Sequence, residues 1–266
     1  MFWRALFLVL LTTPALAQTK VDTVDPFAPT PNHARRYAEC MQQARREPLK
    51  ALPLAEKWKA EGGGLAARHC VAVAMFGAGK PVPAATQLEA IERDMAGARP
   101  GLRAELLAQA GQAWMEANQA ENAAAAQSRA LDLKPDDVEL WIDRGLSYAA
   151  MKAWPRAISD FDRALVLEPY KVEIYVLRAA AWRNADNPGR ALADADRALT
   201  IAPDNPDILL ERALALQAQG NHKLATAEFD KVLKLAPAGS DAAKRAEAAL
   251  RGETSAPLAP PAASNR

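Results

Sequence analysis

Only three histidines and two cysteines occur in the 266 residues, and neither type falls into a pattern that holds a metal or activates a nucleophile. His33, His69 and His222 are scattered, and no CxxC, HxxxH or CxxCH spacing is present. GxSxG and a phosphate-binding loop are also missing; "GAGK" at 77–80 is too short for one and reads as a turn between helices. The chain is therefore not expected to be an enzyme, nor to carry a cofactor or metal. It lacks an excess of either charge: 33 Lys and Arg face 32 Asp and Glu. Such balance leaves no electrostatic footprint for nucleic acid and no polybasic membrane patch. Aromatic residues are only 6% of the chain, and β-branched clusters and Asn-Gly turns are few, which argues against a sheet protein. No apolar run is long enough to cross a bilayer, so membrane insertion is not expected.

What is present begins with an address. Arg4 precedes a short apolar run from Ala5 to Leu11, and Ala15, Leu16 and Ala17 place small residues ahead of Gln18. This pattern reads as a secretory signal peptide over residues 1–17, cleaved near Ala17. An uncleaved anchor is the competing reading, but such an anchor needs about 20 apolar residues. No cysteine stands at the cut, which disfavours a lipid anchor. The expected destination is the periplasm, or alternatively secretion. Alanine supplies an outsized share of the hydrophobic half of the chain, as suits helices packed closely against helices.

The dominant signal is internal repetition. "QSRALDLKP", "FDRALVLEP", "ADRALTIAP" and "FDKVLKLAP" end at Pro135, Pro169, Pro203 and Pro237, 34 residues apart each time. Aligned on these prolines, the segments run 104–137, 138–171, 172–205 and 206–239. The second carries Trp141, Gly145, Tyr148, Ala157, Phe161, Ala164 and Pro169 at helical spacings. This pattern resembles the tetratricopeptide repeat, a helix-turn-helix unit. The resemblance implies an all-α fold, a right-handed superhelical solenoid of stacked helical hairpins.

Several features of the repeat can be read without a family. Each proline stops a second helix, and the next helix starts at once: Asp136 with Glu139 can form a capping box, and Asn205 can cap ahead of Pro206. Gln127 and Ala195 stand where Phe161 does, so looser packing is expected in the first and third repeats. Arg144, Arg178 and Arg212 recur with Asp160, Asp194 and Glu228, whereas the first repeat has Ala110 and Ala126 at both places. Acid and base come and go together, which points to structural salt bridges between the two helices of a hairpin. The competing reading, a basic row gripping an acidic ligand, leaves the acids unexplained.

Upstream, residues 32–103 read as two degenerate repeats, with first helices over 33–46 and 65–76 joined through the Gly62–Gly64 turn. Cys40 and Cys70 fall on these first helices, and in an exported chain they are expected to form a disulfide. A metal site using Cys40, Cys70, His69 and His33 is the weaker alternative. Residues 240–251 read as a polar capping helix. The Pro-rich stretches 18–31 and 252–266 are expected to be disordered.

The family resemblance also implies a concave groove lined by first helices. Carried onto this chain, its lining is Ala108, Gln112 and Met115; Ile142, Leu146 and Ala149; Val176, Ala180 and Arg183; and Leu210, Leu214 and Gln217. The lysine and asparagine clamp used by some members finds Ala108, Gln112, Ile142 and Val176 instead, so an apolar docking mode is expected. Glu105, Glu139, Glu173 and Asp207 form an acidic row at one edge, read either as helix N-terminal charge or as a selector of basic or amphipathic partners. The expected role is a non-catalytic adaptor binding a protein or peptide of the cell envelope. The alternative is a structural subunit or homo-oligomer whose groove is already filled.

Overall fold

The computed structural model describes residue 27, residues 30–95, residue 97 and residues 99–253. The expected signal peptide over residues 1–17 and most of the two terminal stretches expected to be disordered lie outside the described residues. Thirteen helices and no strand are found among the described residues. They pair in chain order: α1 (Pro31–Arg46) with α2 (Pro48–Ala60), α3 (Gly64–Gly77) with α4 (Pro81–Asp94), and α5 (Pro100–Glu116) with α6 (Ala120–Leu133). The series continues with α7 (Val138–Ala150) and α8 (Trp154–Leu167), α9 (Val172–Asn184) and α10 (Pro188–Ile201), and α11 (Pro206–Ala218) and α12 (His222–Leu235), closed by α13 (Asp241–Leu250). The third hairpin starts at Pro100, before the boundary at 104 that the proline alignment gives.

Helix ends follow from local chemistry. Proline occupies the first turn of α1, α2, α4, α5, α8, α10 and α11, where its missing N–H costs nothing. Asn205 caps α11 by accepting from the N–H groups of Asp207 and Ile208. At α7 the cap is Asp137, accepting from Leu140 N–H, and not Asp136: the chain needs the turn at 135–136 to leave the previous helix before it can wind again. Within each hairpin from the second to the sixth, a left-handed residue reverses the chain two positions before the second helix starts: Gly79, Asn118, Lys152, Asp186 and Gly220. The "GAGK" stretch is thus a turn. Two of the repeat prolines are also anchored from the next first helix, since Trp141 Nε1 donates to the carbonyl of Pro135 at 2.8 Å and the Tyr175 hydroxyl to that of Pro169 at 3.1 Å.

Alanine lets the two helices of a hairpin approach. Ala123, Ala157, Ala191 and Ala225 are buried in one column, and Ala130, Ala164 and Ala198 with Val232 in another. Gly145 lies so near Phe161 that a Cβ there would stand 2.5 Å from the ring. Gln127 does not loosen the third hairpin: it is buried against Gly111 and its amide oxygen accepts from Ser147 Oγ at 2.7 Å, so a polar side chain fills the place of the ring by pairing across to α7. Ala195 is buried as well.

The arginine column runs through the stack. Arg144 donates to both carboxylate oxygens of Asp160 at 2.8 Å, Arg178 holds Asp194 the same way at 2.8 and 2.6 Å, and Arg212 reaches Glu228 at 2.9 Å. Each guanidinium also reaches 16 residues back, to the preceding hairpin: Arg144 to Ser128 Oγ, Arg178 to Asp162 and Arg212 to Asp196. A second buried network joins Glu92 of α4 to Arg103 of α5 and Arg129 of α6.

First helices touch at four of the joins between hairpins, α1 with α3, α5 with α7, α9 with α11 and α11 with α13. No comparable contact joins one second helix to the next among the described residues. A stack whose members are closer on one side curves toward that side, so the first helices form the inner, concave face.

Candidate functional site

The left-handed turn residue gives a register for the inner face. Counting back ten positions from each one yields His69, Ala108, Ile142, Val176 and Leu210, one residue per hairpin on the same face of its first helix. Residues four later, such as Gln112, Leu146, Ala180 and Leu214, share that face, as do those three earlier. Those three earlier are Glu105, Glu139, Glu173 and Asp207. Asp241 on α13 adds a fifth acid, 34 residues beyond Asp207.

Burial divides the expected lining. Ile142, Ala149, Ala180, Leu210 and Leu214 are buried in the core and do not present a surface, which corrects their assignment as contact residues. The reason is curvature: where first helices crowd together, their inner side chains pack on the neighbouring first helix. Ala108, Met115, Leu146, Val176, Arg183 and Gln217 are half-buried, and Gln112 is exposed. Ser147 Oγ lies 3.3 Å from Met115 Sδ, so Met115 spans the join between hairpins three and four. Arg183 is drawn into the structure by Glu211, whose buried carboxylate takes Arg183 Nε at 3.3 Å and Arg245 of α13 at 2.9 Å. The apolar surface that remains is a shallow strip of Ala108, Met115, Leu146 and Val176.

The acidic row edges this strip. Glu105, Glu173, Asp207 and Asp241 are exposed, while half-buried Glu139 pairs with Lys171 from the loop before α9. Desolvation raises the Asp207 carboxyl above its ordinary range, and against the pull of Arg245 the like charges of Asp241 in the row and of buried Glu211 push the same way.

At the N-terminal end the inner face becomes polar and aromatic. His69 is buried between two first helices: its Nε2 faces Gln109 Oε1 of α5 at 2.9 Å and its Nδ1 faces the Tyr37 hydroxyl of α1 at 2.5 Å. A carbonyl oxygen on one side requires Nε2 to donate, which leaves Nδ1 to accept from the tyrosine. Burial first, then the field of Arg45, hold the imidazole below its ordinary range against the opposing effect of Gln109. Beside it Cys40 and Cys70 form a disulfide between α1 and α3, with Cα atoms 6.1 Å apart. With both sulfurs bonded to each other and both His69 nitrogens engaged, a metal site of Cys40, Cys70, His69 and His33 has no ligands to offer; His33 meets Thr30 at the α1 cap. Phe27, from the stretch expected to be disordered, is buried with its ring centroid 5.6 Å from Tyr37 and 5.4 Å from His69.

Sequence reasoning missed the backward acids Asp162 and Asp196, the Tyr37–His69–Gln109 chain and Phe27. The acids were legible, since they recur 16 residues ahead of their arginines. The polar chain was not, because its three members share no spacing.

Comparison with known proteins supports this architecture. The family profile described as tetratricopeptide repeat matches residues 110–182 and 177–251. Among curated proteins none matches the chain. Among solved structures, the C-terminal part of a TPR repeat-containing protein from Cytophaga hutchinsonii is 16% identical with a TM-score of 0.65, over 80% of this chain and 85% of that one. A MamA structure from Desulfovibrio magneticus RS-1 is 18% identical with a TM-score of 0.56, over 63% of this chain and 92% of that one. Another MamA crystal structure, at 16% identity and a TM-score of 0.55, covers 62% of this chain and 93% of its own. With the repeat profile running from within α5 through α13, over more than half of the chain, this chain belongs to the tetratricopeptide repeat family, a family of protein-interaction modules.

Proposed function

We propose that the chain is a non-catalytic adaptor of the cell envelope that holds a segment of another protein against its inner face. The observation that carries this reading is the apolar strip of Ala108, Met115, Leu146 and Val176 with the acids of the same helix face one turn away. An apolar floor beside a row of carboxylates suits an amphipathic segment, extended or helical, with basic residues along one side. Export to the periplasm, or secretion, is supported by the N-terminal sequence and by the Cys40–Cys70 disulfide, which persists in oxidising compartments. No helix among the described residues is long and apolar enough to cross a membrane.

The test is capture from an envelope extract by the chain from Gln18 onward, against a Leu146→Glu/Val176→Glu variant. Both positions are half-buried, so the variant is expected to keep its helical circular dichroism and lose the partner. Equal recovery by both chains would remove the inner face as the binding site. Ile142 is unsuitable for this purpose, because a charge at that buried position would report on folding.

A further inference from the structure

We infer that the His69 end of the inner face is a docking subsite for an aromatic side chain, and that Phe27 of this same chain occupies it as a built-in competitor. The inference rests on the reading that the inner face receives protein segments. His69 is the second hairpin's member of the column that continues through Ala108 and Val176. A ring lying on His69 therefore covers the N-terminal end of that column.

Phe27 is held there by chemistry rather than by secondary structure. It stands outside every helix, three residues ahead of Thr30, whose side chain caps α1 by accepting from His33 N–H. Its ring is tilted at 34° to Tyr37 and set nearly edge-on to His69 at 69°, and in the second of these a ring edge meets a ring face. The floor under it is fixed before it arrives. Tyr37, His69 and Gln109 are joined in one hydrogen-bonded line across three first helices, and the neighbouring disulfide clamps two of those helices together. Only 3% of Phe27 is exposed, so the ring fills a made site. A ring carried on the same chain competes as an intramolecular ligand, so an incoming aromatic side chain binds more weakly while Phe27 is seated.

The probe is a synthetic peptide of residues 21–31, VDTVDPFAPTP, with a second peptide carrying Phe27→Ala as control. Binding is measured by calorimetry to the full chain and to its Phe27→Ala variant. The variant is expected to bind the first peptide at least tenfold more tightly than the unsubstituted chain does, and to ignore the control. The His69 ring, followed by NMR, is expected to titrate at higher pH in the variant and to return on peptide addition; the charged and titratable groups around it, Tyr37 and Arg45 of α1, are unchanged in both chains. Phe27→Leu keeps most of the volume without the ring and is expected to fall between the two chains, which covers the case of poor folding by the alanine variant. Equal affinity of both chains for the peptide, or no binding to either, overturns the inference. If that happens while partner capture still depends on Leu146 and Val176, the inner-face reading stands and only the competitor falls.

Discussion

Asp194 and Asp162 both hold Arg178, yet only Asp194 is withdrawn from water: its side chain is 11% exposed against 53% for Asp162. Removing one partner of a buried pair strands the other charge, whereas an exposed pair contributes little. Asp194→Ala is therefore expected to cost about 3 kcal/mol and Asp162→Ala less than about 1 kcal/mol, read as shifts of the urea midpoint. The first of these bonds was legible because acid and arginine vary together within a repeat. The second was not sought, since a comparison inside one repeat cannot see a contact that crosses to the one before. Burial of Ile142 and Leu210 was illegible for a different reason: their spacing is that of a surface column, and the approach of neighbouring first helices decides what becomes of it.

At the scale of elements, the two upstream hairpins show how much periodicity alone conveys. Expected first helices over 33–46 and 65–76 are α1 and α3 within a residue or two at each end, although neither repeat keeps the family's letters. Phe27 escaped because proline-rich composition speaks for the backbone around it and says nothing of one ring with a place to go. These hairpins carry the disulfide, whose cysteines stand 30 positions apart, worth about 3 to 4 kcal/mol in a chain-entropy account. Because each hairpin contacts mainly its neighbours, the effect is expected to stay local. Reduction, or a Cys40→Ala/Cys70→Ala chain, should raise amide exchange in α1 to α4 and leave α7 to α12 near their original rates.

Over the whole molecule, stability is a sum along a line, and its ends matter most. At the C-terminal end α13 packs Ala242, Ala246 and Ala249 into the cluster that contains Leu209, Leu214 and Phe229, and sends Arg245 to the buried Glu211. Ending the chain at Gly239 uncovers that apolar face and removes one of the two arginines that neutralise Glu211. The truncated chain is expected to lose protection in α11 and α12 first, with the helices before α9 little changed in hydrogen exchange.

The arginine column gives the curved stack a mechanical character. Joins four to five and five to six are riveted at this column by hydrogen-bonded carboxylates, Asp162 and Asp196, while at the join of hairpins three and four Arg144 bonds the Ser128 hydroxyl and meets the Asp132 carboxylate only through its field. A guanidinium bonded to a neutral hydroxyl yields more readily than one paired with a carboxylate, where both partners are charged. Pulled or bent, the solenoid would give at that softer column first, and Met115 and Leu146 sit on either side of it. The strip of Ala108, Met115, Leu146 and Val176 straddles that seam, so bending there would change the spacing between its α5 and α7 residues, as a hinge parts two leaves.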